Sequence, residues 1–366
     1  MKENLDLLVK TSPQIHNRES TGKIMWTVTL CLVPAGIWGI YVFGMRALVV
    51  VLVSIAAACA GEYAIARAQG KFTLLDGSAF LTGILVGYNM PPGVPLFIPV
   101  IASLFAIAVV KWSFGGLGAN WMNPALGGRV FVFFSWTGPM TVWNIPKTIS
   151  GADAVTGPSV LGFLKAGLVD LQGSFSGPLE FLNMNGFPHT AFDGRATQWL
   201  NNAVFSGGNV GNGYFDLFFG NVPGCIGEVS AFLLILGSIY LFIKKIITWE
   251  IPITYLGTFG VLTWIFGGLS LGSGFFSGDV VFHLFSGGLI LGALYMATDM
   301  VTSPITRKGM IWFGVGVGFF TFLIRTYGSF PEGVSLAIIL MNIFVPLINR
   351  ITKTERFGVE KKGQEA

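Results

Sequence analysis

Acidic side chains inside long apolar runs are the first residues in this chain whose types could do chemistry. Glu62 sits in ACAGEYAIARA, Asp76 in LLDGSAF and Asp299 in YMATDMVTSP. A carboxylate surrounded by hydrocarbon costs several kcal/mol unless it is paired or serves an ion or proton path. Glu62 and Asp299 are the best placed for such a path. Asp76, Glu228 and Asp279 fall near the ends of apolar runs and read as solvated interfacial charges. The densest polar constellation is FGGLGANWMNPALGGRVFVFF, Phe114 to Phe134. Asn120 and Asn123 are three residues apart, so they share one face of a turn, each offering a donor and an acceptor. They read either as caps of the helix that Pro124 opens or as ligands of a bound group. Arg129 lies deeper and is expected to reach the inner interface or a cluster of carbonyls. A third stretch, DAVTGPSVL (Asp153 to Leu161), offers two hydroxyls around a Gly-Pro pair, and by itself signals a turn.

Metal chemistry has little support. Cys31, Cys59 and Cys225 are far apart with no CxxC spacing, and the first two lie in apolar runs, as structural thiols do. His16, His189 and His283 cannot supply paired haem ligands, and His283 reads as a hydrogen-bonded residue at a helix end. No metal site of the chain's own is expected. There is no Walker loop, no GxGxxG opening a helix after a strand and no HExxH, so soluble nucleotide-binding and protease chemistry are unsupported.

These residues are positioned by membrane-spanning helices. Only 11% of the 366 residues are charged and 52% are apolar, about half the charge of a soluble chain. Each span needs about 20 residues to cross the hydrocarbon core. Ten spans are predicted, near 24–44, 46–66, 77–90, 94–111, 124–138, 223–245, 251–269, 280–298, 309–325 and 332–350. The third and fifth are short and Gly-rich or Pro-bounded, which suggests broken or tilted helices lining a cavity. The organisation is then a cytoplasmic N-terminal segment 1–23, a five-helix repeat 24–138, a long loop 139–222, a second five-helix repeat 223–350 and a cytoplasmic tail 351–366. The first 23 residues are polar and mixed in charge, so the first span is expected to act as the targeting element.

With the N-terminus inside, 17 of the 22 Lys and Arg residues fall on the cytoplasmic side, among them Lys111 and Arg129. The long loop, with DAVTGPSVL in it, is then extracytoplasmic. The net charge of +4 belongs to this asymmetry and not to nucleic-acid binding. FLTGILVG (80–87) aligns with FSGGLILG (285–292), and KWSF (111–114) with RTYG (325–328). Five spans per half make the second copy inverted, a design that places a binding site between the repeats.

The order LDGSAFLTGILVGYNMPPGVP, KWSFGGLGANWMNPALGGRVFVFF, DAVTGPS and YMATDMVTSP resembles the RnfD/NqrB family over essentially the whole chain. The resemblance implies an all-α polytopic membrane protein of ten transmembrane helices in two inverted five-helix repeats, urea-channel-like, in a bacterial or archaeal cytoplasmic membrane. It implies a membrane subunit of an Rnf complex, which couples electron transfer between ferredoxin and NAD to Na⁺ or H⁺ translocation. Expected partners are RnfA, RnfB, RnfC, RnfE and RnfG, especially the FMN-bearing RnfG, together with membrane lipid and, during maturation, a flavin transferase. The family carries FMN through a phosphoester on a hydroxyl of the outward loop. The transferase pattern is matched by Asp153, Thr156, Gly157 and Ser159, with Pro158 where Ala is usual. Ser159 is therefore the expected attachment residue and Thr156 the fallback. Asn120 and Asn123 match asparagines that hold a second, non-covalent flavin (riboflavin), and Asp299 matches an acid implicated in coupling. A short N-terminus favours the Rnf type over the Nqr type, a Na⁺-translocating NADH:quinone reductase. A non-redox small-solute channel of the same fold is the competing reading from another class.

Overall fold

The computed structural model describes residues 20–150, 155–167, 175, 177–203, 211–328, 330 and 332–353. Asp153 and nearly all of both terminal segments lie outside these residues. The described chain is helical apart from one ribbon of two two-residue strands.

The first half runs α1 (Thr21–Phe43), α2 (Met45–Ala68), α3 (Ser78–Tyr88), α4 (Phe97–Phe105, continued as a π-helical turn Ala106–Lys111) and α5 (Pro124–Ser135). Ser20 caps α1, accepting from Lys23 N at 3.2 Å. One residue, Gly44, joins α1 to α2 at φ 84°, a conformation that penalises any Cβ. Asn123 caps α5 through its Oδ1 (Ala125 N 3.0 Å, Leu126 N 3.3 Å), and Pro124 follows at the first helical position.

The insertion follows: β1 (Trp143–Asn144) pairs antiparallel with β2 (Thr156–Gly157), then come α6 (Val160–Gly167), α7 (Pro178–Met184), α8 (Ala191–Ala203) and α9 (Tyr214–Phe219). Leu161, Leu164, Leu179, Phe181, Leu182 and Leu217 form its small core, which also takes in Leu271 and Phe282 of the second half. The insertion is thereby fastened to the bundle.

The second half comprises α10 (Ala231–Ile243), α11 (Glu250–Phe266), α12 (Val280–Phe285), α13 (Leu289–Leu291, continued as a π-helical turn Gly292–Met296), α14 (Arg307–Tyr327) and α15 (Val334–Ile351). Gly287, at φ 63°, breaks the eighth predicted span between α12 and α13.

Among the described residues, five helices are long and apolar enough to cross a membrane: α1, α2, α11 with its 3-10 extension to Leu271, α14 and α15. Four others (α3, α4 with its π turn, α5 and α10) are shorter and apolar. The expected short third and fifth spans are therefore present, at 11 and 12 helical residues. Equivalent pairs pack in both halves: α2 on α4 matches α11 on α14, and α4 on α5 matches α14 on α15. Across the halves α1 lies on α10 and α5 on α15. Outward residues such as Leu30, Ile37, Leu52, Ile253, Trp312 and Leu347 are exposed, an apolar surface suited to lipid tails.

Because helix direction alternates, the start of α1 and the end of α15 share one end of the bundle, the termini end, with the starts of α3 and α5. The insertion lies at the other, the insertion end.

Candidate functional site

A cavity of about 110 Å³ opens at the termini end and is lined by Ser78, Lys111, Asn120, Asn123, Thr298 and Asp299 among apolar neighbours from α1, α3 and α10. The structure separates the two asparagines. The Asn123 side chain is used up by the fold: Oδ1 caps α5 and Nδ2 donates to Met296 O at 3.2 Å. Asn120 Oδ1 is buried with no partner among the described residues, so it is the orphan acceptor of this cavity. Asp299 is half-buried at the mouth and accepts from Val301 N (3.3 Å) and Thr302 Oγ1 (3.1 Å).

One wall is a buried ion pair. Lys111 ends the π-helical turn of α4 with its ammonium 3.0 Å from Glu62 Oε2, both side chains 1% exposed. Glu62 also accepts from Trp112 Nε1 (2.8 Å) and Thr73 Oγ1 (2.7 Å), while Lys111 donates to Ser78 Oγ (2.7 Å). Ser78 in turn binds Asp76. Both Glu62 oxygens and the Lys111 ammonium thus have partners, the condition for holding charge out of water. Lys111 is no loop charge, although the loop asymmetry treats it as one.

Arg325, aligned with Lys111, reaches the start of the aligned span at the insertion end, but through backbone carbonyls and with its Nε unpartnered among the described residues. Its guanidinium donates to the carbonyls of His283 (2.6 Å) and Ser286 (3.2 Å), at the start of the span aligned with the one that Ser78 opens. It also lies over the Phe259 ring at 5.2 Å. The bond at His283 therefore involves its carbonyl.

Arg129 corrects its expected place. It reaches neither an interface nor a carbonyl cluster. It is buried between the halves, donating to Glu332 Oε2 (2.5 Å), Ser335 Oγ (2.7 Å) and Asn89 Oδ1 (3.1 Å), with Cys225 Sγ at 3.7 Å. Glu228 is likewise no solvated interfacial acid: it is 6% exposed, with Oε1 accepting from Cys225 N at 2.9 Å. Asp279 is a helix cap, accepting from Phe282 N at 2.9 Å and from the Tyr214 hydroxyl.

At the insertion end, Ser159 is 4% exposed and caps α6, its Oγ accepting from Gly162 N at 3.1 Å. Thr156, on β2 opposite Asn144, is exposed. Ser159 shares a small pocket with Glu228, Gly287 and Glu332. Lys165, at the far end of α6, donates to the carbonyls of Arg325 (3.2 Å), Gly328 and Phe330 (3.2 Å). Burial lowers its affinity for a proton. The structure thus brings Asn120, Asn123 and Asp299 to one cavity, with Glu62 behind Lys111 in its wall. Ser159 lies at the other end of the bundle.

Both ends have groups suited to a flavin. A phosphoester at Ser159 would lie at the N-terminus of α6, where backbone N–H groups face an anion. Ser159 Oγ uses a lone pair and not its proton in the cap, which an esterified oxygen can still do. The termini-end cavity offers apolar walls and the orphan Asn120 Oδ1, which suits the N–H edge of a planar heterocycle.

The model of the NQR2, RnfD, RnfE family matches residues 8–358. The chain is 43% identical over 362 residues to the D-type subunit of the proton-translocating ferredoxin:NAD(+) oxidoreductase complex of Clostridium ljungdahlii, covering 99% of this chain and 98% of the relative. It is 40% identical over 365 residues to the D-type subunit of the Na(+)-translocating ferredoxin:NAD(+) oxidoreductase complex of Acetobacterium woodii, with the same coverage. It is 37% identical over 352 residues to the D-type subunit of an ion-translocating oxidoreductase complex of Stutzerimonas stutzeri, covering 95% of both chains. This polytopic helical chain belongs to the NQR2, RnfD, RnfE family.

Proposed function

We propose that the chain is the D-type membrane subunit of an Rnf complex, a ferredoxin:NAD oxidoreductase that couples electron transfer to Na⁺ or H⁺ translocation. The observation that carries this reading is identity of 43% and 40% over nearly the whole length to two such subunits. Its setting is the cytoplasmic membrane, with both termini inside and the insertion outside, as the Lys and Arg asymmetry favours. Its partners are the other Rnf subunits, the flavin-bearing RnfG above all, and a flavin transferase during maturation.

Covalent FMN belongs on Ser159 and a second, non-covalent flavin, riboflavin in kind, in the termini-end cavity. A flavin supplies one- and two-electron chemistry that no side chain of this protein offers. The chain's own residues bind and orient. The start of α6 favours the phosphate charge, Asn120 Oδ1 accepts from the polar edge of the second ring system, and the Lys111–Glu62 pair gives that ring a fixed, fully partnered wall. Asp299, at the mouth, is the acid of a path for the translocated ion, while Glu62 is held in the wall by Lys111.

The test is the full chain produced with its flavin transferase and run on a denaturing gel. A fluorescent band lost in Ser159→Ala is expected. A band that survives Ser159→Ala and disappears in Thr156→Ala moves the attachment to Thr156, and no band in the wild type refutes covalent attachment.

A further inference from the structure

Between Ser159 and Arg129 lies a polar group that neither flavin locus uses. Glu228 Oε2 is buried and has no hydrogen-bond partner among the described residues, although Oε1 of the same carboxyl is bonded. It faces the small pocket that Ser159, Gly287 and Glu332 also line. One oxygen of Glu228, one of Glu332 and Cys225 Sγ all lie within 4.8 Å of one another. A Cβ at Gly288 would stand 2.4 Å from Glu228 Oε2, so the carboxyl rests against bare backbone. A buried, half-bonded carboxylate is costly, and two carboxyls this close do not both ionise readily.

A metal ion is the first occupant that such residue types suggest, but the position is taken. Arg129 Nη2 already lies 2.5 Å from Glu332 Oε2 and 3.7 Å from Cys225 Sγ, and a cation there would face a guanidinium. A proton needs no such space. The charged and titratable groups facing the pair are Arg129 from α5, Cys225 from the segment before α10, and Arg325 from α14. Arg325 approaches across Gly287, where an added Cβ would meet both Arg325 Nη2 (3.5 Å) and Glu332 Cγ (3.7 Å). Glu228 Oε2 is bonded to neither Cys225 nor Arg325.

We propose that Glu228 and Glu332 form a carboxyl pair that holds one proton, carried on Glu228, and exchanges it only with the insertion side. The polar line continues inward from Arg129 to Asn89 (3.1 Å), then through Asn89 Nδ2 to Met296 Sδ (3.8 Å). Asn123 Nδ2 meets the same methionine at its carbonyl. A guanidinium does not give up its proton and an amide relays none readily, so this line holds the halves together and blocks proton passage to the termini-end cavity. The pair is thus a one-sided proton site directly beneath Ser159. Its role, neutralising one carboxyl where a phosphate anion is attached, rests on the flavin reading. The site itself does not.

The experiment is infrared difference spectroscopy of the purified full chain in H₂O and D₂O, with and without flavin. At neutral pH a deuterium-sensitive carboxylic-acid band is expected in both preparations. It is lost in Glu228→Gln, and shifted in Gly288→Ala, whose added Cβ displaces the carboxyl. Glu332→Gln, which alters the pair from its other member, is expected to move the same band. Persistence of the band unchanged in Glu228→Gln overturns the proposal. So does its absence from the wild type, or a Glu228-dependent thermal stabilisation by Na⁺ or Mg²⁺, which would make the site one for a metal cation. Glu228→Gln is expected to keep the fluorescent gel band, so failure here and failure of the Ser159 assignment are read separately.

Discussion

The two ends of the bundle hold charge out of water in opposite ways. At the termini end, Lys111 and Glu62 form a closed group whose atoms find Ser78, Trp112 and Thr73 within 2.8 Å. At the insertion end, Arg129 and Glu332 form a shorter pair, 2.5 Å against 3.0 Å, but Glu228 beside it is left with a free oxygen and a pocket. Complete pairing builds a rigid wall for a ligand, whereas incomplete pairing leaves a group able to change its protonation. What distinguishes them is the number of partners and, to a lesser degree, exposure: 1% for both Lys111 and Glu62 against 7% for Arg129 and 12% for Glu332.

The largest stability effect separating the ends is expected from single breaks of the closed pair. Lys111→Met strands Glu62 in an apolar wall and should cost about 3–5 kcal/mol, whereas Lys111→Met with Glu62→Leu should recover most of the loss. Thermal unfolding of the full chain in detergent measures both. Arg129→Met should cost less than Lys111→Met, because Glu332 keeps 12% exposure through its pocket. An equal or greater loss would break the comparison.

The next effect concerns ligand against framework. Asn120→Leu removes a spare acceptor and should lower retention of non-covalent flavin by about tenfold, an effect of one hydrogen bond, with little change in unfolding temperature. Asn123→Leu should instead lower stability by about 1 kcal/mol or more through the lost α5 cap. Flavin extracted from the native chain, read beside the melting curve, decides between the two roles.

The smallest effect lies within the insertion. Asp216 accepts from Thr190 N (2.7 Å) and Thr190 Oγ1 (2.6 Å), yet burial holds its carboxyl above the ordinary value of 3.8, with Asp193 adding to the rise. The folded insertion therefore binds a proton more readily than the unfolded chain, and its stability should increase as pH falls toward 3.8. The protection factor of the Thr190 amide, its exchange rate relative to the intrinsic rate at the same pH, should rise correspondingly. A protection factor that falls on acidification would contradict the sign.

Much of the frame was legible because each signal is local. Hydropathy gives the spans, and Pro124 after Asn123 marks the start of α5. Glycine density foretells the short α3 and α5. Charge pairing was not legible, because its partners are far apart in the chain. Glu62 and Lys111 are 49 residues apart, Arg129 and Glu332 are 203, and neither spacing carries a pattern. Glu228, in GCIGEVS, sits where interfacial acids usually sit, and only the arrival of Arg129 and Glu332 buries it. A basic residue ending an apolar run, as in AIAVVKWSF, or following paired glycines, as in GGRVFVFF, was the available signal for Lys111 and Arg129. For the hydroxyl stretch, sequence marked the residue type, while burial and the cap bond of Ser159 come from the fold.

The cap has a consequence for the timing of biosynthesis. A transferase needs the hydroxyl in its own active site, and in the folded chain Ser159 is buried and bonded into the first turn of α6. On the proposed attachment, the esterified oxygen can still serve the cap, but the transferase has to reach it before the insertion closes over it. The modifying enzyme must act on a nascent or transiently opened insertion, and a chain that folds too early escapes it. Weakening the anchor that Lys165 provides at the other end of α6 should then raise the flavinylated fraction, making the last step of folding a clock for cofactor loading.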